Sequence, residues 1–173
     1  MFLPWRDLFS DLRAAVGWPA REMSVNAYRR EKMGSKVSVE EVNAFYDEVF
    51  QGSGDTDRVL VMREDYALVR QPVDKANLRP GGYINGPTQM AIADSAAYVA
   101  IFTRIGITPM ALTSNLNINF LRPCIGDAVI AEAHLLKLGR TLAVISVDVR
   151  AEGSDKLSSQ ATINYSIPAE ATT

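Results

Sequence analysis

The chain has 173 residues, 47% of them hydrophobic and 22% charged, a size and composition that suit one globular domain with a sizeable core. Its formal net charge of −2 gives no basic footprint, which argues against nucleic acid as a partner. The single cysteine, Cys124, excludes an internal disulfide framework and suits a reducing, cytoplasmic compartment; a single histidine, His134, and no GxSxG sequence argue against a Ser-His-Asp hydrolase and against catalytic zinc.

Residues 1–22 carry Trp5, Phe9, Leu12 and Val16 at helical spacing, but Asp7 and Asp11 interrupt the pattern and no small-residue cleavage site follows. This fits neither a signal nor a transit peptide, and matches a short amphipathic helix docking on the body, a partner or a membrane surface. Residues 1–35 therefore read as an N-terminal extension, helical or partly disordered. Residues 36–168 read as the domain and 169–173 as a C-terminal tail.

Ser38 followed by Glu41 is a capping-box pattern, with Val42, Phe45, Val49 and Phe50 on one face of the helix it opens. The glycine-rich run 51–55 should end that helix. Residues 58–70 hold Val59, Leu60, Val61, Tyr66, Leu68 and Val69 around Glu64-Asp65, which predicts two short strands or one bent hairpin. Residues 72–80 then read as a loop.

Residues 81–104, GGYINGPTQMAIADSAAYVAIFTR, organise the rest. Gly86-Pro87 suits a helix entry, because proline at the first helical position needs no N–H. From Thr88 to Thr103 so little polar face remains that the helix should be buried nearly all round, and it is too short and interrupted to span a membrane. Asp94 projects from this apolar segment. An unpartnered buried acid is costly, and spacing alone fits a structural acid as well as a catalytic one.

Residues 112–121 alternate, with Leu112, Ser114, Leu116, Ile118 and Phe120 on one face and Thr113, Asn115, Asn117 and Asn119 on the other. Asparagine is a poor strand former, so the polar face is either a solvated surface or one with partners. Residues 127–138, 141–150 and 157–167 complete a meander. The sum is an α+β chain in which a curved antiparallel sheet wraps a long central helix. Its exposed edge would be protected by pairing sheets in a dimer.

The motifs PGGYING at 80–86 with Ala93-Asp94-Ser95 behind it, TSNLNINFLR at 113–122 and LLKLGRTLA at 135–143 resemble those of the hotdog-fold acyl-CoA thioesterases, in the PaaI-like branch named for phenylacetate metabolism. The resemblance covers roughly residues 37–168. It implies an acyl-CoA thioesterase releasing free acid and coenzyme A, in which the Gly86 amide polarises the thioester carbonyl and Asp94 is general base or nucleophile. Thr113 would position the water, and Asn85 stands where the family commonly has His. Arg79, Gly82, Lys137, Gly139 and Arg140, with Arg122 a weaker candidate, would meet substrate or the coenzyme A phosphates. The resemblance further implies a homodimer or homotetramer with sites between subunits, with no metal, redox cofactor or stable membrane insertion. Two alternatives stand beside it: an acyl-CoA binding or sensing protein without turnover and, more weakly, a dehydratase. Such dehydratases usually pair His with a carboxylate, whereas His134 reads as a surface or interface histidine.

Overall fold

The structure is a computed structural model that describes residues 34–49 and 57–169. The expectations for the N-terminal helix, for Phe50 and for the run 51–55 lie outside those residues.

Helix α1 (Val39–Val49) begins at the predicted capping box. The Ser38 N–H donates to the Glu41 carboxylate at 2.7 Å and the Glu41 N–H to Ser38 Oγ at 3.2 Å, so two donors at the helix entrance are satisfied reciprocally. Its buried residues are Val42 and Tyr46, with Phe45 packed beside them. Val49, expected on that face, is exposed, because the domain meets only the stripe through 42, 45 and 46.

Strands β1 (Arg58–Arg63) and β2 (Tyr66–Pro72) form the predicted hairpin. At its turn Asp65 has φ 62°, a left-handed conformation that aspartate tolerates better than most residues. The turn is tied to the central helix: Arg104 donates to both Asp65 carboxylate oxygens at 2.9 and 3.0 Å. The segment expected to be a plain loop holds a 3-10 turn (Lys75–Asn77) capped by Asp74 and a small ribbon of β3 (Leu78–Arg79) and β4 (Tyr83–Ile84). Gly81 (φ 94°) and Gly82 (φ 76°) make its reversal, which side chains with a Cβ resist.

Helix α2 (Gly86–Ile105) is the 20-residue core helix, closed by Gly106 at φ 83°. The sheet follows with β5 (Leu112–Phe120), β6 (Ala128–Leu138), β7 (Leu142–Ala151) and β8 (Ser159–Ser166). All pairings are antiparallel, in the order β1-β2-β6-β7-β8-β5. The predicted meander is thus β6-β7-β8, while β5 crosses to the far edge. Helix α2 contacts all six strands. The outer strands of a flat six-stranded sheet would stand about 24 Å apart, against a helix about 10–12 Å wide, so the sheet must curl to reach it.

Alanines 93, 96, 97 and 100 let the helix backbone approach the sheet, and Ile92, Val99, Ile101 and Phe102 fill the space against Val129, Ile145, Val147 and Ile163. Each such side chain contributes roughly 1.5–3 kcal/mol. The composition predicts burial nearly all round, but the helix keeps an open stripe. Pro87, Met90 and Ala91 are exposed and Asp94, Ser95 and Tyr98 only half-buried, so one stripe stays open.

Candidate active site

Asn85 is the N-cap of α2: its side-chain oxygen accepts from the Thr88 N–H at 2.8 Å, while its amide donates to the Ala76 carbonyl at 3.2 Å. The Gln89 N–H returns to the Asn85 carbonyl at 3.3 Å and Pro87 has no N–H. Of the first-turn amides, Gly86 N–H is therefore left without an acceptor among the described residues, at the positive end of the helix dipole. Glycine keeps the approach to Phe120 open, since a Cβ would meet that ring at 3.2 Å and the ring would have to give way.

Asp94 lies eight residues further along the same helix. Thr113 Oγ1 and Tyr165 Oη both donate to its Oδ1 at 2.8 Å, and Tyr165 also lies 3.0 Å from the Asp94 main-chain oxygen. Among the described residues no protein group donates to Oδ2. Burial pushes the Tyr165 hydroxyl well above the ordinary tyrosine range, and the neighbouring Asp94 carboxylate adds to the shift, so this side chain stays protonated and donates.

A bulge makes the Thr113 contact. The simple alternation puts Thr113 with the asparagines, opposite Leu116. In the structure the β5–β8 register shifts between Thr113 and Asn115. Ser114 becomes the extra residue, its hydroxyl donating to the Asn164 carbonyl at 3.2 Å. Thr113 therefore pairs with Tyr165 on the same side as Leu116 opposite Ile163 and Ile118 opposite Ala161. Asn115, Asn117 and Asn119 face outward beside Asn164, Thr162 and Gln160, forming a polar ladder.

Asp94 opens into a cavity of about 300 Å³ walled by Tyr46, Asp57, Ala91, Ser95, Tyr98 and Tyr165. Tyr98 packs against Tyr165 with ring centroids 5.9 Å apart. A wider depression of about 420 Å³ lies elsewhere, between the turn at Arg63-Glu64-Asp65 and His134. Its Tyr66 is engaged by the His134 ring and donates to Glu132, which is itself paired with Arg150, and none of Asp94, Thr113 and Tyr165 lines it. The smaller cavity, which Asp94 lines, is therefore the candidate site. Tyr165, Tyr46, Ser95 and Asp57 were not among the predicted site residues. The inward phase of Tyr165, shared with Ala161, Ile163 and Ile167, was the one available sign, and Tyr165, Ile163 and Ala161 do point to the helix.

The predicted residues fall into two groups. Arg79, Gly82 and Asn85 stand at the Gly86 end, where the Gly82 N–H closes the turn on the Arg79 carbonyl at 3.1 Å. Lys137, Gly139 and Arg140 belong to the β6–β7 hairpin, whose register row Leu138–Ala143–Tyr165–Thr113 puts it at the Asp94 end of the sheet. Arg122 donates to the Leu157 carbonyl at 2.6 Å. Cys124 is buried, which pushes its thiol up and disfavours a thiolate. His134 is exposed against the Tyr66 ring, 5.1 Å between centroids. Among the described residues there is no group of three or more His, Cys, Asp or Glu that would hold a metal, and no helix long and apolar enough to cross a membrane.

Residues 81–158 match the family model described as "Thioesterase superfamily". A crystal structure from Silicibacter sp. TM1040, provisionally described as a thioesterase, is 31% identical, with 79% of this chain and 95% of that one covered at a TM-score of 0.72. Acyl-coenzyme A thioesterase 13 of Mus musculus is 29% identical over 94 residues, 54% of this chain and 66% of the mouse protein. The phenylacetic acid degradation protein PaaI of Thermus thermophilus is 27% identical, covering 72% of this chain and 99% of that one, at a TM-score of 0.57. The chain spans 63% to 66% of the length of three curated relatives it matches. With 31% identity across 95% of one relative, and a family model running through the helix of Asp94 and the strand of Thr113, the chain belongs to the thioesterase superfamily and has its hotdog fold.

Proposed function

We propose that the protein hydrolyses an acyl-CoA thioester, and that two copies of the chain build each site. The observation that carries the chemistry is the Asp94 carboxylate, fixed through Oδ1 by Thr113 and Tyr165 while Oδ2 receives no protein donor among the described residues. A carboxylate so held can take a proton from water or attack a carbonyl directly. In the first case water adds to the thioester carbon as Asp94 takes its proton. The C–S bond then breaks and the thiolate leaves, to be protonated. Negative charge builds on the carbonyl oxygen, and one aligned N–H such as that of Gly86 lowers the barrier by about 3 kcal/mol.

Gly86 and Asp94 of one chain do not meet on one carbonyl. Eight residues at 1.5 Å separate them by about 12 Å along the axis, while reacting groups must come within about 3–3.5 Å. The sheet suggests how they meet. Edge strand β5 carries Thr113 at the Asp94 end and Phe120, against Gly86, at the other. Two β5 edges paired antiparallel bring the Gly86 end of one copy to the Asp94 end of its partner. Leu112 (60% exposed), Phe120 (52%) and Met110 (68%) give such a seam apolar area to cover. Arg79 of one copy and the Lys137–Arg140 hairpin of the other then flank one coenzyme A.

The test is thiol release from short, medium, long and aromatic acyl-CoAs, with binding measured in parallel and Asp94→Asn as the reference variant. Release abolished in Asp94→Asn is the expected result. Full turnover in that variant sinks the role of Asp94, and tight binding without release from any member makes the protein an acyl-CoA binder.

A further inference from the structure

The cavity has a second acid besides Asp94. Asp57, just before β1, lines it together with Ser95 and Tyr46. The Ser95 hydroxyl stands 3.1 Å from Tyr46 Oη and is the residue after Asp94 in α2. Burial pushes the Asp57 carboxyl above its ordinary range, with Ser95 offsetting part of the rise. No Arg, Lys or His lines this cavity. The other walls are tyrosine rings and Ala91, so the acyl end of the site is apolar except for one acceptor group with hydroxyls around it.

That combination selects. A plain alkyl chain would displace water from Asp57 and return no hydrogen bond, which is unfavourable for a half-buried carboxyl. An anionic tip would add a third negative group to a cavity that already holds Asp57 and Asp94. A hydroxyl or ammonium tip replaces the lost water and donates to Asp57.

We propose that the acyl group accepted here carries a hydrogen-bond donor at its distal end, received by Asp57 with Ser95 and Tyr46 beside it. The inference rests on the thioester reading for the end of the cavity at Asp94. The volume, on the order of ten water-sized units at ~30 Å³ each, fits a hexanoyl group with one terminal heteroatom.

The experiment measures dissociation constants by calorimetry for non-hydrolysable thioether analogues of four coenzyme A esters: hexanoyl, 6-hydroxyhexanoyl, 6-aminohexanoyl and the carboxyl-tipped adipoyl. With wild-type protein the hydroxyl or amino analogue should bind about tenfold more tightly than the hexanoyl analogue, and the carboxyl analogue most weakly. In Asp57→Leu the hexanoyl analogue should bind best. Salt dependence separates the two donors, since only the ammonium tip gains a screened ionic attraction. Equal or tighter binding of the hexanoyl analogue by wild type, or an unchanged order in Asp57→Leu, overturns the proposal. If that variant does not fold, the wild-type order alone decides. Should the analogues bind in the expected order while the matching thioesters release no thiol, hydrolysis is refuted and this selectivity stands. Binding of none refutes both.

Discussion

Replacing Tyr165 by Phe isolates one hydroxyl of the site. The ring stays to pack against Tyr98 and the buried face of β8, so the fold should be kept. What goes is the 2.8 Å bond to Asp94 Oδ1, leaving Thr113 as that oxygen's protein donor among the described residues. A hydrogen bond to a charged group contributes roughly 1.5–3 kcal/mol, and each 1.36 kcal/mol is a factor of ten in rate. Loss of the whole bond in the transition state would cost about 10- to 150-fold in kcat. Because Thr113 still holds Oδ1, the fall should lie near the lower end, about tenfold.

KM should change little, since Tyr165 orients the carboxylate rather than the substrate. In Thr113→Val with Tyr165→Phe neither donor remains, and the loss should exceed the product of the single losses because the carboxylate is then free to rotate. Steady-state kinetics of the four proteins, with thermal unfolding as the control, checks this. Full kcat in Tyr165→Phe, or a double variant no worse than the product, would refute the positioning role.

Because burial and the Asp94 charge hold the Tyr165 hydroxyl well above its ordinary range, its neutral donor form persists, and the alkaline side of the wild-type rate profile should show no loss from this tyrosine up to about pH 10. Gly86→Ala should disturb the helix entrance, because the new Cβ sits 3.2 Å from the Phe120 ring; the expected result is a loss of thiol release with the α-helical circular dichroism kept. Met110→Asp with Leu112→Asp puts charge into the exposed apolar seam, so size-exclusion with light scattering should show a shift toward monomer together with loss of activity; an active monomer would defeat the two-copy site. Asp148 faces Glu132 across β6 and β7, and burial first, then Glu132, raises its carboxyl. A raised acid favours the fold below its unfolded pKa and loses that contribution as pH rises through the folded value, so Asp148→Asn should stabilise at pH 7 by roughly 0.2–1 kcal/mol and by less near pH 3, read by thermal melts.

The elements that were legible in the sequence are those fixed by local chemistry. Ser38 and Glu41 announce a cap because both partners lie within four residues, and Gly86-Pro87 announces a helix entry for the same reason. The phase of β8 shows in the alternation of Ala161, Ile163 and Tyr165 because one face is buried throughout. What was not legible depends on distant pairing. The placement of β5 beside β8 is decided by the crossover, and Asp57 joins the Asp94 cavity only when the start of β1 folds over α2. The capping role of Asn85, with one side-chain bond to the Thr88 N–H and one to the Ala76 carbonyl, likewise depends on the 3-10 turn folding back beside the helix entrance.

The bulge at Ser114 shows why a regular reading of β5 could place Thr113 by resemblance and yet put it on the wrong face. Strict period-two alternation over 112–120 sends Thr113 outward with Asn115, while the contact with Asp94 requires it inward. One extra residue satisfies both demands. Leu116 and Ile118 keep their places opposite Ile163 and Ala161, the asparagines keep the outer face, and Thr113 joins the inner face while Leu112, expected there, is turned outward opposite Ser166. Such an insertion interrupts the ladder and costs stability locally. Its location opposite the one residue of β8 that also bonds Asp94 indicates what the interruption serves: two hydroxyls from adjacent strands converge on one carboxylate oxygen. With Ser114 counted in the ladder, a regular β5 would turn Thr113 away from Asp94. Deleting Ser114 should therefore leave a regular strand with Thr113 still opposite Tyr165 and Leu116 still opposite Ile163, so that the Asp94–Thr113 bond and thiol release are kept; loss of turnover in a folded deletion variant would show that the bulge does more than set the phase of Thr113.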